Sequence, residues 1–256
     1  RERAGWTACK NKKNKTAKMA ALISEAAIEI PQTPSVTMKS VGELVIIGDG
    51  DIALQAGENI KDRLNVTIIL SGKEDVLPPR IMDFPIFSGE IESLNGHLGS
   101  FQLKINNYSP ATPASRDKLL FNESDNVGSL SCDLVLDLSD AEPLLRGHTR
   151  RDGYIKPITK NIGAINEALI KLSNFVGEFE KPKYIDFEAN LCAHSRSEIS
   201  GCNRCLDNCP IGAITSKGDT VEIDPYTCAG CGICSAVCPT GAAKYSVPAE
   251  NSLITR

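Results

Sequence analysis

The stretch Val221–Ala243, VEIDPYTCAGCGICSAVCPTGAA, holds four cysteines within eleven residues: Cys228, Cys231, Cys234 and Cys238, with Pro239 directly after the last. The spacing C-x2-C-x2-C-x3-C-P is that of bacterial [4Fe–4S] sites, in which three thiolates hold one cubane and the fourth reaches another. Three thiolates two residues apart lie on a tight loop whose amide N–H groups can point at sulfur. Gly230 and Gly232 permit that close approach because they lack a Cβ, and Pro239 turns the chain away. Zinc sites usually show two well-separated C-x2-C knuckles, which this run does not resemble. A disulfide framework needs an oxidising compartment and normally a secretory signal, and residues 1–18 show no apolar signal-peptide core. Iron–sulfur ligation by free thiolates is therefore expected, with a reducing cytoplasm as the setting.

The pattern recurs upstream. A shift of 29 residues lays Cys202, Cys205 and Cys209-Pro210-Ile211-Gly212-Ala213 on Cys231, Cys234 and Cys238-Pro239-Thr240-Gly241-Ala242. Two repeats imply two cubanes related by a pseudo-two-fold axis. The partner of Cys228 falls at Ile199, so Cys192, on the segment Cys192-Ala193-His194-Ser195-Arg196, is the expected replacement. The expected ligands are Cys192, Cys202, Cys205 and Cys238 for the first cluster, and Cys209, Cys228, Cys231 and Cys234 for the second. Two alternatives stay open: an unligated Cys192 beside a three-iron or labile first cluster, and ligation by His194. Cys9 and Cys132, far from the others, read as unligated thiols.

Around these cysteines, Ala213–Ile223 alternates about Lys217-Gly218-Asp219, a hairpin signal. Lys183–Phe187 and Ala242–Val247 read as end strands able to pair with each other. Ile211, Ile214, Ile233 and Val237 are expected to pack around the clusters and limit water. On these residues and motifs, positions 184–248 resemble the two-cluster bacterial-type ferredoxins. The resemblance implies a small α+β module of βαββαβ-like fold, two [4Fe–4S] clusters and one-electron transfer.

The other three quarters of the 256 residues read as α/β. Residues 42–70 run strand, Gly-rich turn, helix, strand, a Rossmann-like βαβ element. Gly48-x-Gly50-x-x-Ala53 resembles a dinucleotide fingerprint whose helix N-terminus offers a phosphate site, so a bound nucleotide is possible. No acid stands at the tip of the second strand, where Leu70-Ser71-Gly72 precedes Glu74 and Asp75, and a plain βαβ turn is the preferred reading. Phe84–Ile105 reads as short strands around Asn95-Gly96 and Leu98-Gly99, and Asn106–Asn126 as loop. Asp133–Leu138 reads as a buried strand whose Asp133 and Asp137 cap its ends or face solvent. Ile158–Phe179 has helical spacing, and Lys18–Ile28 suggests a short amphipathic helix.

The resulting partition is a basic arm and short helix (1–40), an α/β domain with an irregular insert (41–180), the ferredoxin-like module (184–248) and a tail (249–256). The first eighteen residues carry seven basic side chains and one acid, yet the whole chain has net charge −4, which argues against a general nucleic-acid binder. No apolar run approaches the roughly 18 residues needed for a membrane span. Arg3-Ala4-Gly5-Trp6, Lys18–Leu22, Asp133–Ser139, Gly177–Pro182 and Cys192–Arg196 also resemble segments of larger bacterial multi-cluster 4Fe-4S proteins. That resemblance implies that the chain is a fragment of such a protein.

The expected role is electron transport, with single electrons relayed to or from a redox protein or oxidoreductase subunit. No acid–base pair or nucleophile marks the chain as an enzyme by itself. The rival readings are a nucleotide-dependent oxidoreductase using the Gly48–Ala53 turn, and an iron–sulfur redox sensor.

Overall fold

A computed structural model describes residues 12–28, 32–71, 76–112, 117–122, 127–158, 161–196 and 201–248, with backbone alone for 12–14. Cys9, Glu74, Asp75, Ile199 and the 249–256 tail lie outside the described residues, as do parts of the basic arm and of the 106–126 segment.

The apolar runs ELVIIG and NVTIIL become β2 (Glu43–Gly48) and β3 (Asn65–Leu70), joined by the helix α2 (Gly50–Ile60). The two strands pair in parallel, with Leu44 opposite Val66 and Gly48 opposite Leu70. On the other side of β2 lie β7 (Leu134–Asp137) and then β8 (Tyr154–Ile155), both parallel. β4 (Ile86–His97) starts parallel to β3, turns at Leu98-Gly99 and returns as β5 (Ser100–Pro110), which pairs with β6 (Gly128–Cys132). The seven-stranded order is β6-β5-β4-β3-β2-β7-β8.

The central strands are apolar on both faces because both are covered. Leu44, Ile46, Ile68 and Leu136 pack on Ala53, Leu54 and Ile60 of α2 and on Ile165, Leu169 and Leu172 of α3 (Ile162–Ser173). Val45, Ile47, Ile69 and Val135 pack on Phe101, Leu103 and Ile105 of β5, with Leu145 and Tyr154.

Several local expectations change in this setting. Phe84–Ile105 is not a set of short strands, and Asn106–Pro110 is not loop. They belong to one long hairpin, bent by register shifts at Ser88/Glu90 and Ile91/Ser93. A Cβ on Gly89 would lie 2.4 Å from Ile105 Cγ2, so glycine fits that bend. Asp137 does not face solvent but is wholly buried. It accepts from Tyr154 Oη at 2.6 Å and pairs with Lys156 Nζ at 3.0 Å. Asp133 does cap, accepting from the amides of Val41, Gly42 and Glu43 at 2.6, 2.9 and 3.2 Å.

The helix expected over 158–179 stops at Ser173. Gly177–Pro182 is instead β9, antiparallel to β1 (Ser35–Ser40), with Met38 opposite Phe179. The first helix, α1 (Lys12–Ala26), begins earlier than Lys18. None of its described side chains is buried, so it presents no apolar face to the sheet.

Beyond β9, β10 (Ile185–Phe187) pairs antiparallel with β13 (Ala243–Tyr245), and β11 (Ile214–Lys217) with β12 (Thr220–Ile223). The helices α4 (Arg204–Asn208) and α5 (Ile233–Val237) complete a β-α-β-β-α-β order. This segment has its own core, including Ile185, Ile211, Ala213, Ile214, Val221 and Ala242 among the cysteines.

Candidate metal centre

The internal repeat becomes two copies of one local structure. Cys205 lies in the first turn of α4 and Cys209 directly follows the helix. Cys234 and Cys238 hold the same positions at α5. Gly232 caps α5 at φ +75° and Gly230 sits at φ +67°, conformations that side chains rarely adopt. At Gly230 there is also no room, since a Cβ would lie 2.7 Å from the Tyr184 ring. Cys192 follows the short turn Ala189–Leu191 and is buried in the same core as Cys209 and Cys234. Its backbone is tied at both ends, Cys192 N donating to Ala189 O at 3.0 Å and Arg196 N donating to Cys192 O at 2.8 Å.

All nine described cysteines are free thiols, and eight of them lie in this segment. Their electrostatics sort them. Burial pushes the Cys205 thiol up, and negative charge on Cys192 and Cys202 pushes the same way. Burial also raises Cys228, against the Gly230 amide and the Lys181 ammonium, with Cys231 and Cys209 adding to the rise. Cys234 is pushed up to about 11 by burial, then by Cys228, Cys231 and Cys209. Cys205 thus feels Cys192 and Cys202, while Cys228 and Cys234 both feel Cys209 and Cys231.

Cys238 behaves differently. Burial works against its thiolate but is outweighed by the amides of Ala243, Thr240 and Ala242 and the Thr240 hydroxyl, which hold it down to about 7. Its sulfur also lies 3.6 Å from Thr240 Oγ1. Cys209 likewise accepts from Ala213 N at 3.2 Å.

Two other residues answer to packing. His194 is wholly buried, with Nδ1 3.2 Å from Cys202 O and Nε2 3.1 Å from Gly218 O, so both ring nitrogens face backbone carbonyls. Cys132 lies in the sheet core, away from the other cysteines. At the Gly48–Ala53 turn, a Cβ on Gly48 would come within 2.8 Å of Leu138 Cβ, and Ala53, on α2, is wholly buried in the core with the sheet residues. Both small residues therefore have a packing reason, and Ser71 Oγ, at the tip of β3, donates to Asp49 Oδ1 at 3.1 Å.

Arg151, Lys181 and Tyr184 border the site, and sequence reasoning misses them. No motif marks them, because each comes from outside the cysteine repeats and reaches the site only through the fold.

Among the described residues, no three Cys, His, Asp or Glu side chains converge closely enough for a single metal ion. The sulfurs are unpaired, half-buried or buried for the most part, crowded with like charge and approached by amide donors. This donor set fits an iron–sulfur cluster, whose irons relieve the repulsion and whose thiolate ligands accept such hydrogen bonds. The fold and site define a cysteine-ligated iron–sulfur protein of ferredoxin type.

Comparison with known proteins agrees. Residues 200–242 match the family described as the 4Fe-4S dicluster domain. An uncharacterised ferredoxin of Methanocaldococcus jannaschii is 46% identical over 44 residues, covering 17% of this chain and 71% of that protein. Hydrogenase-4 component A of Escherichia coli is 36% identical over 61 residues, 19% of this chain and 30% of that protein. The acceptor-type dihydromethanopterin reductase of Methanosarcina mazei is 37% identical over 68 residues, 23% of this chain and 28% of that protein.

Through this segment the chain belongs to the 4Fe-4S ferredoxin family. It binds a 4Fe-4S cluster and serves iron–sulfur electron transfer. Among the described residues no helix is long and apolar enough to cross a membrane.

Proposed function

We propose that residues 184–248 hold two [4Fe–4S] clusters and relay single electrons between a redox protein and an oxidoreductase subunit in a reducing cytoplasm. The first cluster is assigned to Cys192, Cys202, Cys205 and Cys238, the second to Cys209, Cys228, Cys231 and Cys234. The repeated placing of Cys205 and Cys209 at α4 and of Cys234 and Cys238 at α5, with Cys192 buried in the same core, carries this reading. Cys238 enters the first set by the repeat, as the counterpart of Cys209. When bound, each cluster supplies one-electron redox chemistry.

The chain's own residues do three things. Cysteine thiolates bind iron, amides from Gly230, Leu206, Ser235 and Ala213 stabilise charge on sulfur, and Ile211, Ile214, Ala242 and Val221 keep water away. The residues at 41–180 form an α/β domain with Rossmann-like βαβ elements that carries the module, a reading supported by the parallel order β4-β3-β2-β7-β8. Names of relatives that are components of hydrogenase and reductase systems support an oxidoreductase partner.

Anaerobic purification with iron and sulfide analysis, joined to EPR of the reduced protein, tests the assignment. About eight irons per chain and the broadened spectrum of two interacting clusters are expected. About four irons would overturn the assignment of Cys192 and the two-cluster reading with it.

A further inference from the structure

The two cysteine groups do not share one electrostatic environment. Two cations from outside the module reach into one of them. Arg151, just before β8, donates from Nη2 to Ile211 O at 2.7 Å and from Nη1 to Gly96 O at 3.3 Å. Ile211 lies two residues after Cys209. Lys181, on β9, donates from Nζ to Tyr226 O at 2.6 Å, two residues before Cys228.

This contact is built rather than incidental. His97 of β4 stacks on Tyr226 with ring centroids 4.5 Å apart. Gly147 packs so tightly that a Cβ would lie 2.4 Å from Ile211 Cγ2. Arg151 Nε is buried with no hydrogen-bond partner among the described residues, so its charge is incompletely met by local acceptors.

Both cations are partly buried, where a charge acts over a lower effective dielectric than in water. By contrast Arg196 and Arg204, the cations nearest in sequence to the first cysteine group, are exposed and screened by solvent. Asp152 and Asp224 face Lys181, and Asp224 also faces Arg151. These carboxylates help keep the cations charged against burial and temper their field. Each cation is hydrogen-bonded to a carbonyl two residues from a cysteine of the second group, Lys181 beside Cys228 and Arg151 beside Cys209.

We propose that Arg151 and Lys181 are redox-tuning residues, which raise the reduction potential of the cluster held by Cys209, Cys228, Cys231 and Cys234 above that of the other. The inference rests on the two-cluster reading. Reduction adds one negative charge to a cluster, and a nearby fixed cation stabilises the reduced form. The added electron therefore resides on the second cluster at equilibrium. The sheet region is then part of the redox apparatus, because it sets which cluster holds the electron.

The test is an EPR-monitored dithionite titration of the full chain, purified without oxygen. Wild type is compared with Lys181→Gln, Lys181→Arg, Arg151→Gln and Asp224→Asn, and Cys205→Ala identifies the wave that belongs to the first cluster. Lys181→Gln and Arg151→Gln are each expected to reduce the electron affinity of the second cluster at least about tenfold, a shift of about 59 mV for a one-electron couple. The first cluster stays in place, Lys181→Arg retains the wild-type value, and Asp224→Asn shifts the second cluster the opposite way.

Equal shifts at both clusters, no shift, or a Lys181→Arg protein as altered as Lys181→Gln would each overturn the proposal. If Arg151→Gln disturbs the Ile211 contact and loses iron, the three Lys181 and Asp224 variants decide. An iron count of about four in wild type refutes the two-cluster reading itself. That result is distinguishable from eight irons with unshifted potentials, which refutes only the tuning.

Discussion

Gly230→Ala tests how the cysteine loop is held. Gly230 stands between Cys228 and Cys231 at φ +67°, and a Cβ there would lie 2.7 Å from the Tyr184 ring. That ring cannot simply swing aside, since it stacks near Tyr245, whose hydroxyl donates to Gly230 O at 3.2 Å. Left-handed backbone at a non-glycine residue costs about 1–2 kcal/mol. Forcing a methyl group into a packed site adds about 1–3 kcal/mol, so the total is about 2–5 kcal/mol. Gly241→Ala supplies the control, because Gly241 has φ +70° but no atom within 4 Å of its missing Cβ. It should show the backbone cost alone.

The difference of about 1–3 kcal/mol corresponds to a roughly five- to 150-fold difference in the population of the intact loop. Iron loss to a chelator, followed by visible absorbance, reads that population. Gly230→Ala is expected to bleach much faster than Gly241→Ala, and removing the ring in Tyr184→Ala/Gly230→Ala should recover the Gly241→Ala rate. Equal bleaching of the two single variants would refute the reasoning, because the Tyr184 contact would then carry no weight.

Lys156→Met removes the cation paired with the wholly buried Asp137, and a broken buried pair costs about 3–5 kcal/mol; denaturant unfolding measures it, and a loss below about 1 kcal/mol contradicts the pairing. His194→Ala should keep the wild-type iron content while losing about 1–3 kcal/mol, since the ring serves backbone carbonyls; a halved iron content would instead make His194 a ligand. Burial, with the charges of Asp133 and Glu43, pushes the Cys132 thiol far above its ordinary range. Cys132 should therefore resist iodoacetamide in the folded protein at mildly alkaline pH and react once denatured, which peptide mass mapping can follow.

Much of the cysteine segment is legible in the amino-acid sequence. Thiolate spacing is a local requirement of cluster geometry, so Cys228, Cys231 and Cys234 declare their chemistry within seven residues. The hairpin about Gly218 and the pairing of Ile185–Phe187 with Ala243–Tyr245 follow from alternation and turn residues. Cys192 requires more, because its expected place in the repeat holds Ile199. Its burial beside the other cysteines supports the choice.

The sheet region is legible where burial leaves a run of apolar residues, as in β2, β3 and β7. Local pattern misleads where long-range pairing overrides it. Asn106–Pro110 is polar enough for a loop, yet Phe87 and Ser88 across the hairpin make it strand. Gly177–Phe179 looks like the end of a helix, yet the pairing of Gly177–Pro182 with Ser35–Ser40 makes it part of β9. Asp137 reads as a strand cap or a solvent-facing acid until Tyr154 and Lys156, which lie 17 and 19 residues later, are seen to meet it in the core.

Sequence by itself determined the chemistry of this protein, because ligand type and spacing are dictated by the cluster and written over a short span. Tertiary structure alone decided what surrounds that chemistry. It brought Tyr184 against Gly230, and Arg151 and Lys181 against the carbonyls beside Cys209 and Cys228. Fields and close packing depend on distance in space, and residues far apart in the chain acquire that distance only when the sheet and the cysteine module fold against each other.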